Sequence, residues 1–306
     1  MHSMKKIVLA GFLGVLASAA QAELIYGITT AGALVRFDSA TAANVTTIGA
    51  VGGVVAGQTL RGVDFRPSDG KLYAMSTNAA GAAAQLYTVD LATGAATAIG
   101  AGLTLTGNTS TLVSLDFNPV ANALRVVTGG GQNYRVNANT GALILQDTSI
   151  ATPAGVVPII SGVAYTNSVA GATSTTLYAY DFRLNNLGTI GGIGSVPSPN
   201  TGVFNIVGNS GFVSGNGGAG FDISGATGIA YMSYDDLTGT LDGEPEFFSI
   251  NLTTGVAAKI GDFGTVNLLD FSVLPIAATV PISGTLGLAA LGLLMAGGAS
   301  RRRRAA

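Results

Sequence analysis

Residues 60–102 read LRGVDFRPSDGKLYAMSTNAAGAAAQLYTVDLATGAATAIGAG, and the reading of this stretch decides the fold. Runs at 60–65, 71–75, 84–90 and 95–100 are apolar or alternate apolar with polar, as strands do. Between them lie Pro67-Ser68-Asp69-Gly70, the linker 78–84 and Ala92-Thr93-Gly94, all rich in turn formers. The stretch predicts a four-stranded antiparallel meander. Such a sheet cannot bury its apolar faces alone, so it needs copies of itself to stack against.

The copies are present. Phe37-Asp38-Ser39-Ala40-Thr41-Ala42, Val89-Asp90-Leu91-Ala92-Thr93-Gly94, Val136-Asn137-Ala138-Asn139-Thr140-Gly141 and Ile250-Asn251-Leu252-Thr253-Thr254-Gly255 align without gaps, and Asn200-Thr201-Gly202 adds one more. Asp or Asn caps the turn, and the closing glycine supplies positive φ. Four copies lead into Ile48-Gly49, Ile99-Gly100, Val207-Gly208 and Ile260-Gly261. The Thr markers at 41, 93, 140, 201 and 254 lie 52, 47, 61 and 53 residues apart, which suits four-stranded propeller blades with variable loops. Val63-Asp64-Phe65, Leu115-Asp116-Phe117 and Leu269-Asp270-Phe271 mark the first strands, with Val163-Ala164-Tyr165 and Phe221-Asp222-Ile223 as looser copies. The N-terminal unit, 24–51, lacks this strand, while the last copy, 266–274, has no unit after it. The expectation is an all-β, five-bladed β-propeller of four-stranded antiparallel blades, closed by pairing of the C-terminal strand with the N-terminal blade. Closure removes open sheet edges. An open sandwich or β-solenoid is the alternative.

Of 306 residues, 48% are hydrophobic and only 10% charged, so a large core is available. There is no cysteine, which excludes disulfides and thiolate sites. Residues 23–279 hold all 16 acids but only eight bases, and this acidic body argues against nucleic acid and anionic surfaces as partners.

The remaining bases sit at the two ends. Lys5-Lys6, the apolar run 7–20 and Ala20-Gln21-Ala22 fit a secretory signal peptide over 1–22, with Glu23 as the mature N-terminus; an N-terminal anchor is the alternative. The propeller domain then covers 23–279, and 280–306 forms a C-terminal segment. In it Val280-Pro281-Ile282-Ser283 precedes an apolar run, 284–299, and Arg301-Arg302-Arg303-Arg304. The run is marginal for a membrane span, and the arginines would hold its end in the cytoplasm. This order resembles the PEP-CTERM sorting signals of bacteria, with Val280-Pro281-Ile282-Ser283 in place of Pro-Glu-Pro. The resemblance implies processing by an exosortase and a Gram-negative surface, outer membrane or matrix location. An ordinary tail anchor is the alternative.

Within the body, Leu124-Arg125-Val126-Val127 and Gly131-Gln132-Asn133-Tyr134-Arg135-Val136-Asn137 with Thr140-Gly141 resemble the bacterial family named domain of unknown function 4394. Val63-Asp64-Phe65-Arg66-Pro67 with Gly70 and Leu72-Tyr73, and Ala164-Tyr165-Thr166-Asn167 before Thr175-Thr176-Leu177-Tyr178, fit the same family. Such proteins look like exported β-propellers, and the resemblance carries no established activity.

His2 is the only histidine and lies in or before the leader, so the mature chain lacks the commonest general base, metal ligand and thiol nucleophile. That excludes a Ser-His-Asp triad and leaves no catalytic residue to name. A polysaccharide hydrolase or lyase using carboxylates or Tyr/Arg chemistry remains as an alternative. The preferred function is a non-catalytic binding or matrix module for exopolysaccharide or a surface protein; a calcium-stiffened coat component is a third reading.

Three places could carry binding. A hairpin centred on Gly130 sets Arg125 opposite Arg135, an unfavourable pairing unless an acid lies between. The functional reading makes Arg125, Arg135, Gln132 and Asn133 a site for an anionic ligand such as a uronate. The structural reading puts an internal acid, Asp116 or Asp147, between the guanidinium groups. Asp235, Asp236, Asp242 and Glu244 offer oxygens to calcium, or else form a solvated loop, because the EF-hand order is missing. Asp64, Asp116 and Asp270 recur at one strand position, either as half-buried acceptors that tie neighbouring turns or as a channel site for a cation or substrate. Tyr26, Tyr73, Tyr87, Tyr178 and Tyr231 read as packing aromatics.

Overall fold

The computed structural model describes residues 22–211, 220–234 and 245–275. The leader and sorting residues, Val280, Pro281, Ile282, Ser283 and Arg301 to Arg304 among them, lie outside the described residues. The first blade takes β1 (Leu24–Thr29), β2 (Ala33–Asp38) and β3 (Thr46–Ala50). The second is β4 (Gln58–Phe65), β5 (Leu72–Asn78), β6 (Ala83–Val89) and β7 (Ala96–Thr104). The third is β8 (Val113–Asn118), β9 (Ala123–Thr128), β10 (Asn133–Val136) and β11 (Leu143–Gln146). The fourth is β12 (Ile160–Tyr165), β13 (Leu177–Asp181), β14 (Asn186–Ile190) and β15 (Phe204–Asn209). The fifth is β16 (Gly220–Ile223), β17 (Ala230–Tyr234), β18 (Glu246–Ile250) and β19 (Ala257–Asp262), and β20 (Leu268–Val273) follows.

These strands form five antiparallel four-stranded sheets, and β20 pairs with β1 to complete the first. The innermost strands β20, β4, β8, β12 and β16 touch in sequence around one axis, so the ring is closed. Closure by the C-terminal strand is what the missing first strand of the N-terminal unit requires.

Burial grades outward. β12 is buried along its whole length, whereas β7 at the rim has no fully buried residue. Inner and middle strands are covered on both faces by neighbouring blades, so they read as apolar runs rather than as alternation. The apolar layers lie between blades: Met75 and Leu86 of the second pack with Leu115, Val126 and Tyr134 of the third. Each such side chain stabilises the fold by roughly 1.5–3 kcal/mol through burial. The closing seam is aromatic. Phe37 of β2 meets Phe247 edge-on at 5.4 Å and Phe263 at 5.0 Å, and Phe247 meets Phe271 of β20 at 5.8 Å.

The two glycine motifs of the repeat interlock. A methyl group on Gly100 would strike the Thr140 carbonyl, and one on Gly208 the Thr254 carbonyl. The Ile-Gly or Val-Gly pair of one blade therefore receives the Thr-Gly turn of the next. In the first blade Ala42 replaces the turn glycine and faces Gly261 across the seam. Gly208→Ala is expected to lower stability in urea unfolding by about 1–3 kcal/mol through overpacking. Gly52→Ala, with nothing within 4 Å of the new methyl, should stay within about 0.5 kcal/mol.

Candidate functional site

The site is built from the inner strands. Each has one edge paired within its blade and the other facing the next blade, where amide groups need acceptors. Side chains supply them. Asp64 Oδ2 accepts from Phe117 N at 2.7 Å, Asp116 Oδ1 from Tyr165 N at 3.0 Å, and Asp222 Oδ2 from Val273 N at 2.6 Å. Ser272 Oγ accepts from Phe65 N at 3.1 Å and so takes this place in the first blade. The expectation that Asp270 repeats the position of Asp64 and Asp116 is corrected here. Asp64 pairs across its blade with Tyr73 and Asp222 with Tyr231, but Tyr26 pairs with Ser272. The Leu-Asp-Phe likeness is displaced by two residues, because both levels of the ring need an acceptor. Asp270 serves the other level, where Asp270 Oδ2 accepts from Val63 N at 2.9 Å and Ser114 Oγ from Val163 N at 2.8 Å. These acids are fully buried rather than half-buried.

Ser272 Oγ also donates to Asp64 Oδ1 at 2.7 Å and reaches Asp222 Oδ2 at 2.9 Å. Asp64, Asp116 and Asp222 each place an oxygen within 4.8 Å of the others, and such hard oxygens suit calcium or magnesium. Burial holds the Asp64, Asp116 and Asp270 carboxyls well above the usual carboxylate range, and charge repulsion among neighbouring acids adds to it. Burial raises Asp222 as well.

Arg125 does face Arg135 across β9 and β10. Asp147 lies between them. Its Oδ2 accepts from Arg125 Nη1 at 2.6 Å and from Arg135 Nε at 2.8 Å, and its Oδ1 from Arg135 Nη2 at 2.8 Å. Arg125 further donates to Asn133 Oδ1, Asn200 Oδ1 and the Tyr165 hydroxyl, which ties the third blade to the fourth. Asn133 Nδ2 donates to the Thr148 and Pro199 carbonyls, and Gln132 Oε1 accepts from the Thr128 hydroxyl within its own hairpin. The hydrogen bond to Asp147 is also the chief cause that raises the pKa of Arg135. Arg125 and Asn133 thus clamp the third blade to the fourth, while Arg135 and Gln132 stay within the third. Asp235, Asp236, Asp242 and Glu244 lie outside the described residues.

Tyrosines of the second strands also hold carboxylates, Tyr231 across the closing seam and Tyr73 within its own blade. Tyr231 Oη donates to Glu23 Oε2 at 2.8 Å, and Tyr73 Oη donates to Asp69 Oδ2 at 2.8 Å. Arg125 occupies the corresponding place in the third blade, opposite Asp116.

An opening lies on the face where the inner strands begin. A pocket of about 400 Å³ there is lined by Thr30, Arg61, Thr111, Leu112, Asn267 and Leu268, among others. A smaller cavity of about 30 Å³ shares Arg61, Thr111, Leu112 and Leu269 with it and is also lined by Ser114, Ser161 and Asp270. Three inner strands carry a register shift at this level, which leaves Arg61, Ser161 and Leu269 as the extra residues. Bulges re-aim side chains, and all three of these line the smaller cavity. Arg61 Nε donates to Thr77 Oγ1 at 2.8 Å. Among the described residues no carboxylate pairs with Arg61. Partial burial lowers the pKa of Arg61 from its ordinary value, and a guanidinium remains charged throughout the physiological range. Sequence reasoning missed Arg61. The available signal was an arginine between Leu60 and Gly62 in a first strand, two residues before Val63.

The family described as Domain of unknown function (DUF4394) matches residues 33–272. The chain belongs to this family. No curated protein matches it. Among solved structures, one titled as a GH43 glycoside hydrolase with an engineered active site superposes with a TM-score of 0.51 at 11% identity, over 84% of this chain and 53% of that one. At these identities the likeness shows fold alone. A protein of unknown function from Bacteroides thetaiotaomicron VPI-5482 gives a TM-score of 0.45 at 14% identity, over 85% and 68% of the two chains. A chain of a nidogen/laminin complex gives 0.40 at 12% identity, over 83% and 98%.

Arg125→Ala leaves Asn133 Oδ1 and Asn200 Oδ1 without their donor, while Arg135 still holds Asp147, and should lower stability by about 1–3 kcal/mol in denaturant unfolding; an unchanged midpoint would contradict the clamp. The inner acids set a pH dependence of opposite sign to that of ordinary salt-bridged carboxylates. Their folded pKa values lie above the unfolded value of about 3.9, so the folded state binds more protons in between. Stability should therefore fall as pH rises from about 4 toward neutrality. Asp116→Asn should flatten that slope in melting experiments across pH.

Proposed function

We propose that this chain is an exported β-propeller acting as a non-catalytic binding or matrix module at the surface of a Gram-negative bacterium. Its partner would be exopolysaccharide or another surface protein. Export would use the leader 1–22, and an exosortase-type enzyme would process 280–306. Among the described residues no helix is long and apolar enough to cross a membrane, and both terminal segments lie outside them.

The observation that supports the reading is the division of labour among charged groups. Described acids cap turns, as Asp90 does for Thr93, or accept from a neighbouring blade, as Asp64 and Asp116 do. Others lock arginines, as Asp147 does, or pair with lysine, as Glu246 does with Lys259. Arg61 instead stands at a concave opening of the size that small ligands occupy.

A polysaccharide hydrolase or lyase is the second reading, favoured by Asp270 in the lining of the smaller cavity with its carboxyl held above the usual range. A glycan array of the purified chain, with and without calcium, separates the two when followed by product analysis. Saturable retention without cleavage is expected. Turnover that disappears in Asp270→Asn would select the enzyme, and a blank array would reject the glycan partner.

A further inference from the structure

The channel opening has a chemistry of its own, beyond being concave. Its single cation is half-buried, is held at Nε by Thr77, and leaves Nη1 and Nη2 without a carboxylate partner among the described residues. The residues lining the pocket with it include Thr30, Thr111 and Asn267, which carry uncharged hydrogen-bonding groups, and the apolar Leu112 and Leu268. One planar fork matches one carboxylate, and uncharged hydrogen-bonding groups match hydroxyls. The smaller cavity beneath, about 30 Å³, cannot hold a sugar ring, so a ligand would sit in the mouth above it. The acidic body, with 16 acids against eight bases over residues 23–279, disfavours a continuous polyanion laid across the surface.

We infer that the mouth of the central channel binds the terminal uronate of an acidic oligosaccharide, with Arg61 holding its carboxylate. This rests on the binding-module reading and adds the ligand class. Arg61 reaches the site because the bulge between Leu60 and Gly62 turns it inward. Gly62 is required beside it, since a methyl group there would lie 2.7 Å from Asp270 Oδ2. Arg125 and Arg135, although more conspicuous in the sequence, are already committed to Asp147.

Titration calorimetry of the purified chain tests this with two probes, an oligosaccharide ending in glucuronate and the same oligosaccharide ending in glucose. The expected result is saturable binding of the first, at least tenfold tighter than of the second, and weakening with added salt. Arg61→Ala should weaken uronate binding at least tenfold without moving the melting temperature. Thr111→Trp, an exposed substitution at the rim, should block both probes and decides the question if Arg61→Ala melts early. Equal binding of both probes, untouched by Arg61→Ala, would overturn the uronate assignment and leave the binding module standing. The same oligosaccharide ending in a sulfated or phosphorylated sugar serves as a control, and its tighter binding would overturn carboxylate selection. Absence of binding by either probe overturns the inference, and a blank glycan array alongside would remove the glycan-binding reading with it.

Discussion

The inner edge of each blade is the constraint on which this ring depends. An innermost strand has a row of amide groups that no strand of its own blade can satisfy, at a radius where water is largely excluded. An unpaired buried amide costs about 1–3 kcal/mol. The neighbouring blade therefore lends a side chain: Ser272 to Phe65, Asp64 to Phe117, Asp116 to Tyr165, Asp222 to Val273. The lending runs in one direction around the axis, so each blade is registered against the next. In the fourth blade Ala164 holds this place and cannot lend, and Ile223 N turns instead to Asp222 Oδ1 of its own strand. Acids in such positions accept strongly because they lie in a low-dielectric interior, and for the same reason they resist ionisation.

Farther from the axis the blades are held by forks and glycine contacts. Arg66 donates to Asn122 and Asn139 of the third blade while lying 6.0 Å from the Tyr73 and Phe117 rings. Arg125 ties the third blade to the fourth. At the seam, Glu23 accepts from Ser224, Thr227 and Tyr231 and so binds the start of the domain to the fifth blade. Charge is thus drawn inward as cement. The opening around Arg61 departs from that pattern: three inner strands break register there, and a cation is left facing a concavity. A local breach of regular pairing beside a pocket is where a fold has exchanged ladder hydrogen bonds for a directed side chain.

Much of this was legible along the chain. The Asp/Asn-Thr-Gly turn and the Ile-Gly pair recur because each blade repeats one set of local demands, a capped turn and a rim strand, which neighbouring residues satisfy. The missing first strand and the surplus last one implied ring closure by counting. The opposition of Arg125 and Arg135 followed from the period of two along paired strands. What lay between them did not follow. Both Asp116 and Asp147 were eligible, and Asp147 was chosen by the fold because the end of β11 returns beside β10. The Leu-Asp-Phe likeness misled at Asp270, since Asp serves at two levels of the axis and sequence similarity does not record height.

By itself, then, the order of residues determined the repeat, the number of blades and the manner of closure, because these depend on spacing along the chain. Only the assembled ring decided which amide each carboxylate serves, which arginine is buried in a clamp and which one faces the opening. Those outcomes depend on distances between strands of different blades, and on bulges at Arg61, Ser161 and Leu269 that shift a side chain by one place. No local pattern of apolar and polar residues encodes such a shift.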